Sequence, residues 1–174
     1  MDQFDLRLLA LLTTWFGAHA RFVNADRLTG LVKSHRSKRV RALWTALARS
    51  QPSDRRFLRL SKSYRGPRID PGIKGSDFLI RRHGEDPRFE KGPLRVAANL
   101  LRDRREDILS EAELAVRHLA YRYRVLIGPT YRADMWAALE REPSLTAATL
   151  AKQTYGSYAT AWNVKNDFAL LHGG

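Results

Sequence analysis

The sequence predicts a mainly α protein with a tri-helical unit at each end, a helical middle region and little β structure. Apolar residues recur at intervals of three and four along several segments, which is the spacing of one helix face. Glycine and proline separate these segments, and no repeat of fixed period is present. With 174 residues and 44% hydrophobic content, the chain can bury a core without disulfides or metal. We predict three parts, residues 1–63, 64–128 and 129–174.

The N-terminal part predicts three helices in succession. The first, from Gln3 to Phe16, has a face expected to be buried, formed by Leu8, Leu9, Leu12, Trp15 and Phe16. Asn24 can cap the second helix, whose apolar residues are Leu28, Leu31 and Val32. The third helix, residues 37–50, has an apolar stripe of Val40, Leu43, Trp44 and Leu47. Alternation in residues 55–63 then predicts a strand, the β-wing that often follows a tri-helical DNA-binding unit.

The middle part begins with a Gly- and Pro-rich loop, residues 64–76, followed by a brief helix and a second loop. The spacing of apolar residues then predicts a helix over residues 93–109, with Pro93 at its start. The next helix, residues 110–127, opens with Ser110 and Glu113 at capping-box spacing and ends at Gly128.

The last part predicts three more helices, residues 130–142, 146–156 and 157–171. The pattern around the final turn consists of Ala151, Gly156, Ser157, Thr160, Ala161 and Val164. A small residue at Ala151 lets the two helices cross closely, Gly156 permits a turn conformation that is costly for other residues, and Ser157 can cap the last helix. On that helix we expect an inward face of Ala161, Val164, Phe168 and Leu171.

Residues 145–171 therefore resemble the helix-turn-helix of bacterial transcriptional regulators. The chain departs from the family pattern in that Tyr155 precedes the glycine and Ser157 follows it directly. The resemblance implies that the start of the last helix reads base edges in the major groove. The outward, base-contacting residues are then Ser157, Tyr158, Ala159, Trp162, Asn163 and Asn166. Asparagine can pair with adenine through two hydrogen bonds, and Ala159 can contact a thymine methyl group.

The charge distribution predicts where the phosphates are held. The chain has 31 Lys and Arg against 18 Asp and Glu, a net charge of +13 and a pI near 10.7, which favours a polyanionic partner. Residues 1–63 have 13 basic and 4 acidic residues, residues 64–128 have 14 and 10, and the last part has 4 and 4. Because sequence-independent affinity comes from neutralising phosphates, we expect the N-terminal part to supply most of it.

The predicted phosphate contacts are Lys38, Arg39, Arg41, Arg65, Arg68, Thr146, Thr160 and Lys165. The helix at residues 37–50 has two interpretations that the sequence leaves open. It is either a second recognition helix, with Lys38, Arg39, Arg41 and Thr45 outward, or a plain solvated basic face.

Most classes of catalytic site are excluded or disfavoured by composition. The chain has no cysteine, its 5 histidines are scattered, and it lacks nucleotide-binding and hydrolase motifs. We therefore predict no enzymatic activity, no cofactor and no metal. The expected partner is double-stranded DNA, with a homodimer as one route to specificity, no membrane and no small-molecule ligand. The expected location is the cytoplasm, associated with the nucleoid.

Three alternatives remain open. The acidic group Glu106, Asp107, Glu111 and Glu113 can be interpreted as the metal site of a small nuclease, although neighbouring arginines offer ion pairing as a simpler account. A ribosome- or RNA-associated protein and an antitoxin-like interaction module are the others. In both, Tyr158, Trp162 and Phe168 are expected to form an interface with a partner.

Overall fold

A computed structural model describes residues 5–71 and 75–173. Within these ranges the protein is mainly helical and has no β-strand, only isolated bridges between Ile69 and Leu94 and between Glu85 and Ala97. The mainly α prediction is confirmed. The chain divides into two compact units, one comprising residues 1–20 and 28–108 and the other residues 21–27 and 109–174. We call these the first and the second unit and describe each separately.

The first unit contains helices α1 (Leu6–His19), α3 (Lys38–Arg49) and α4 (Ser76–His83), and most of α2 (Ala25–Ser34). Asp5 caps α1 by accepting hydrogen bonds from the first backbone amides, while the predicted start at Gln3 lies outside the described residues. The predicted face of α1 is only partly right, because Leu9 and Phe16 are buried whereas Leu8 is 54% exposed. Gly17 lies inside α1.

The predicted strand at residues 55–63 is wrong. Two 3₁₀ turns, Arg55–Phe57 and Leu60–Lys62, occupy this segment instead. Asp54 caps the first turn through the Arg56 amide, and Phe57 and Leu60 are buried while Leu58 is exposed. In a 3₁₀ conformation, residues three apart in the sequence lie on the same side, so Phe57 and Leu60 can both be buried. Their burial therefore favours 3₁₀ turns over the strand that the alternation predicted. The first unit therefore has no wing at this position.

The predicted helix over residues 93–109 is also wrong. Residues 93–98 contain no helix, and their backbone hydrogen bonds reach distant segments, with the Arg95 amide donating to the Ile69 carbonyl and the Ala98 amide donating to the Gly84 carbonyl. Only a 3₁₀ turn, Arg105–Asp107, follows. Leu94, Val96 and Ala97 are almost fully buried. Tertiary pairing and burial thus override the helical spacing of this stretch.

The second unit contains α5 (Glu111–Arg117), α6 (Leu119–Ile127), α7 (Tyr131–Arg141), α8 (Ala147–Thr154) and α9 (Tyr158–His172), together with the start of α2. The capping box of Ser110 and Glu113 and the helix end at Gly128 are confirmed. The single predicted helix is interrupted at His118, whose extended backbone ends α5 and whose Nδ1 accepts from the Tyr121 amide to start α6.

No helix in residues 5–71 and 75–173 combines the length and the apolar composition that a bilayer crossing requires.

Candidate nucleic-acid interface

Helices α7, α8 and α9 pack against one another around a single apolar cluster. Each helix contributes to it, and the buried members include Met135, Leu139, Leu150, Ala161 and Val164. Ala151 belongs to the same cluster, as expected for a small residue where two helices approach closely. The predicted succession of three helices at the C-terminal end is confirmed.

The turn between α8 and α9 is built differently from the prediction. The left-handed residue is Tyr155, with φ 60° and ψ 23°, and Gly156 is not among the positive-φ residues. Gly156 instead lies close to α7, because a Cβ at this position would overlap the Cε of buried Met135 and that side-chain end would have to move. The Gly156 amide donates to the Ala151 carbonyl at 3.0 Å and closes the end of α8. The tight fit of the turn onto α7 therefore favours the glycine.

A buried carboxylate that the sequence analysis missed connects this turn to the rest of the second unit. Asp134 on α7 accepts from Arg124 Nε at 2.8 Å, from Arg27 Nη1 at 3.1 Å and from Asn24 Nδ2 at 3.2 Å. The guanidinium of Arg27 also lies over the Tyr155 ring, 5.1 Å from its centroid. The same group that neutralises Asp134 therefore supports the turn before α9. Nothing in the spacing of these residues indicated the network, because they lie far apart in the chain.

The start of α9 follows the prediction. Ser157 caps the helix, since its Oγ accepts from the Thr160 amide at 3.1 Å. Ala161, Val164 and Phe168 are buried and form its inner face. Leu171 does not continue this face, because it is 74% exposed.

The residues predicted to contact bases all lie on the solvent-exposed side of the α9 segment. We call them the reading face: Ser157, Tyr158, Ala159, Trp162, Asn163 and Asn166. Tyr158 is 60% exposed and Trp162 is 53% exposed, so two large rings stand in solvent on one helix. Tyr155 is equally exposed and was missed by the sequence analysis, although its position beside the turn was a signal. Residues 153–164 contain no charged side chain.

The three predicted phosphate-contacting residues of the second unit, Thr146, Thr160 and Lys165, have different surroundings. Thr146 is exposed and caps α8 by accepting from the Thr149 amide. The hydroxyl of Thr160 lies 2.8 Å from that of Ser157 at the start of α9. Lys165 donates from Nζ to the Leu145 carbonyl at 2.6 Å, so this ammonium holds the loop before α8.

In the first unit, Lys38 and Arg65 are exposed, whereas Arg39 and Arg41 are half-buried. Arg68 is engaged in structural contacts, because both its terminal nitrogens bond the Glu85 carboxylate and its Nε donates to the Gly92 carbonyl at 2.8 Å. The Glu85 pKa lies below its usual range because of these hydrogen bonds from Arg68. Thr45 was expected to point outward, but it is fully buried and donates to the Leu60 carbonyl. This excludes Thr45 from any contact with DNA.

Three of the four acidic residues considered as a metal site, Asp107, Glu111 and Glu113, form an ion pair or a helix cap. Asp107 pairs with Arg104 at 3.2 Å, Glu111 pairs with Arg21 at 2.5 Å, and Glu113 closes its capping box. Hydrogen bonds from Ser110 hold the Glu113 pKa below its usual range. Over the described ranges, no group of three or more His, Cys, Asp or Glu residues is arranged to hold a metal ion.

Comparisons of the chain with protein-family models, with curated proteins and with solved structures found no match.

Proposed function

We propose that this protein binds double-stranded DNA sequence-specifically, as a bacterial transcriptional regulator, through the reading face of α9. The observation that carries the proposal is the two-sided character of this helix. Its inner side packs into the cluster of three helices, while every residue predicted to contact bases is on the outer side. A helix held in this way can enter a major groove without losing its packing.

The absence of charge over residues 153–164 suits base reading, because hydrogen bonds and methyl contacts to base edges carry sequence information whereas phosphate contacts do not. Asn163 and Asn166 supply amide groups, and Ala159 a methyl group, of the kind that these edges accept. Phosphate neutralisation falls mainly to the basic first unit, through Lys38, Arg39, Arg41 and Arg65. We leave Arg68 out because Glu85 and backbone carbonyls occupy its guanidinium.

One reading face per chain suggests that two copies bind a two-fold symmetric site. Selection of bound duplexes from a random pool at near-physiological salt tests the proposal directly. We expect a recovered motif that is palindromic if a dimer binds. Recovery of random sequences with strongly salt-dependent binding would show only nonspecific attraction and would refute base reading.

Substitutions then locate the reader. Asn163→Ala should lose about 1–3 kcal/mol of binding free energy for the selected site and little for a random duplex. Leu170→Ala is the control, because Leu170 is 82% exposed and lies about two turns further along α9. Equal losses on both duplexes, or an equal effect of both variants, would contradict the assignment.

The exposed rings also support a second candidate function, an interaction module that binds a protein. Aromatic residues are enriched at the centres of protein interfaces, and Tyr155, Tyr158 and Trp162 are all more than half exposed. Competition separates the two candidates. If an isolated partner protein and a duplex displace each other, they share this face, whereas a protein partner bound without any affinity for duplex would favour the second candidate.

A further inference from the structure

The first unit has a small cationic cavity that is separate from the reading face. It measures about 220 Å³ and lies between the first turns of α3 and residues 63–67. Its cationic lining residues are Lys38, Arg41 and Arg65, and none of its lining residues is acidic. Three positive charges around one cavity repel one another, so an anion in the cavity would relieve an unfavourable arrangement.

The wall opposite α3 is held in one shape. The buried Tyr64 donates from its hydroxyl to the Pro67 carbonyl at 2.9 Å and thereby closes residues 64–67 into a turn. Gly66 lies against this ring, and a Cβ at its position would fall 2.5 Å from the Tyr64 hydroxyl oxygen. The backbone of Arg65 is therefore constrained by its two neighbours, Tyr64 and Gly66. A preformed wall reduces the entropy that a bound ligand would otherwise have to offset.

The charges of this cavity lack the compensation found elsewhere in the first unit. The side chains of Arg68 and Arg88 are 35% and 39% exposed. Arg68 forms an ion pair with Glu85, and Arg88 forms one with Asp86. By contrast, no carboxylate of the described residues forms an ion pair with Lys38, Arg41 or Arg65.

The Nε of Arg41 sharpens this contrast. It is shielded from solvent, and no described residue accepts a hydrogen bond from it. An unsatisfied buried donor on a charged group is costly, which adds to the unfavourable arrangement of positive charge around this cavity.

We propose that this cavity binds a single phosphate group. The guanidinium groups offer forked donors that match phosphate oxygens, and Lys38 adds a compact positive charge. The volume is below the range of about 300–1,000 Å³ that is usual for whole small-molecule ligands, and therefore suits one phosphate group better than a nucleotide. The inference rests on the proposed function for the source of the phosphate, which is the DNA backbone. Free phosphate has the same chemistry and is the other source to be tested.

The first experiment titrates the full chain with inorganic phosphate at constant ionic strength, with chloride as the reference anion. Binding is followed by backbone amide and arginine Nε–H shifts in NMR spectra. We expect saturable shifts at residues 38–41 and 63–66 that chloride does not produce. The absence of a saturable shift, or the same shift in chloride, would overturn the proposal.

Variants of equal charge make the test specific. Lys38→Gln with Arg41→Gln should weaken phosphate binding at least about tenfold. The control is Arg36→Gln with Lys62→Gln, which removes the same charge from exposed residues that do not line the cavity. Lys38→Gln alone alters only an exposed side chain, so its effect cannot arise from misfolding. Equal affinities in the cavity variant and the control variant would overturn the proposal.

Duplex DNA identifies the source of the phosphate. A duplex with 5′-hydroxyl ends contains only diesters, and if it displaces inorganic phosphate the cavity holds the DNA backbone. The slope of log affinity against log salt should then flatten by about 1 in the double variant, because one phosphate contact is lost. Saturable phosphate binding without competition by duplex would assign the cavity to free phosphate and remove it from DNA binding, whereas the absence of any duplex binding would count against the DNA function. Duplex binding with an unchanged slope would keep the DNA function and remove the cavity from it.

Discussion

Replacing Asp134 with asparagine removes a negative charge from the interior of the second unit without changing the size of the side chain. The Asp134 side chain is 2% exposed, and its contacts to Arg27, Arg124 and Asn24 all come from donors. An asparagine amide keeps one acceptor oxygen but points an NH₂ group at further donors. Two arginines would then face each other without the charge that holds them together.

The expected cost follows from the burial of the partners. Removing one member of a buried ion pair costs about 3–5 kcal/mol. The side chains of Arg124 and Arg27 are 20% and 28% exposed, so water can solvate part of the stranded charge, and we expect about 3 kcal/mol. For a chain of this length, 1 kcal/mol corresponds to about 2–4 °C in Tm, which predicts a decrease of about 6–12 °C.

Urea unfolding followed by circular dichroism measures the global loss. Amide hydrogen exchange of α7 measures the second unit separately, because the two units need not unfold together. Asp167→Asn is the matched control. Asp167 pairs with Arg132 at 2.8 Å, and their side chains are 45% and 49% exposed, respectively. A surface ion pair of this kind contributes about 0–1 kcal/mol to stability. If Asp134→Asn costs no more than Asp167→Asn, the reasoning from burial is wrong.

Further perturbations test single contacts. Gly156→Ala should cost about 1–3 kcal/mol because its methyl group overlaps buried Met135, and an unchanged urea midpoint would contradict this. Thr45→Val should cost about 1 kcal/mol because the Leu60 carbonyl loses a donor, whereas Thr45→Ser should recover part of it in the same assay. Burial raises the pKa of Tyr121 to about 12, so the unfolded chain loses this proton first and stability should fall from pH 10 to 12. Tyr121→Phe should show a smaller fall, and superimposable pH profiles would refute the assignment.

The elements with local signals were predictable from the sequence. The capping box of Ser110, the end at Gly128 and the caps of α8 and α9 depend on side chains within three or four residues of the backbone groups they satisfy. The exposed side of α9 was predictable for the same reason. Helical periodicity alone separates Ala161 and Val164 from Trp162 and Asn163.

The turn between α8 and α9 was not fully predictable from the neighbouring residues. From the sequence, the unusual backbone conformation is expected at Gly156, because glycine adopts such conformations most readily. In the structure Tyr155 has the left-handed backbone, and Gly156 instead leaves room for the end of the Met135 side chain. The contact with Met135 depends on the position of α7, which the residues around the turn do not encode. The burial of Asp134 was unpredictable in the same sense.

The sequence by itself determined that this protein is helical, that it is strongly basic towards its N-terminal end, and which residues between 157 and 166 are exposed. These properties depend on composition and on neighbours within one or two helical turns. Only the tertiary structure decided that residues 93–98 are not helical, that Thr45 and Asp134 are buried, and that Arg41 lines a cationic cavity without a carboxylate partner among the described residues. Such features depend on which distant segments meet, because burial and pairing outweigh the weaker local preferences of the chain.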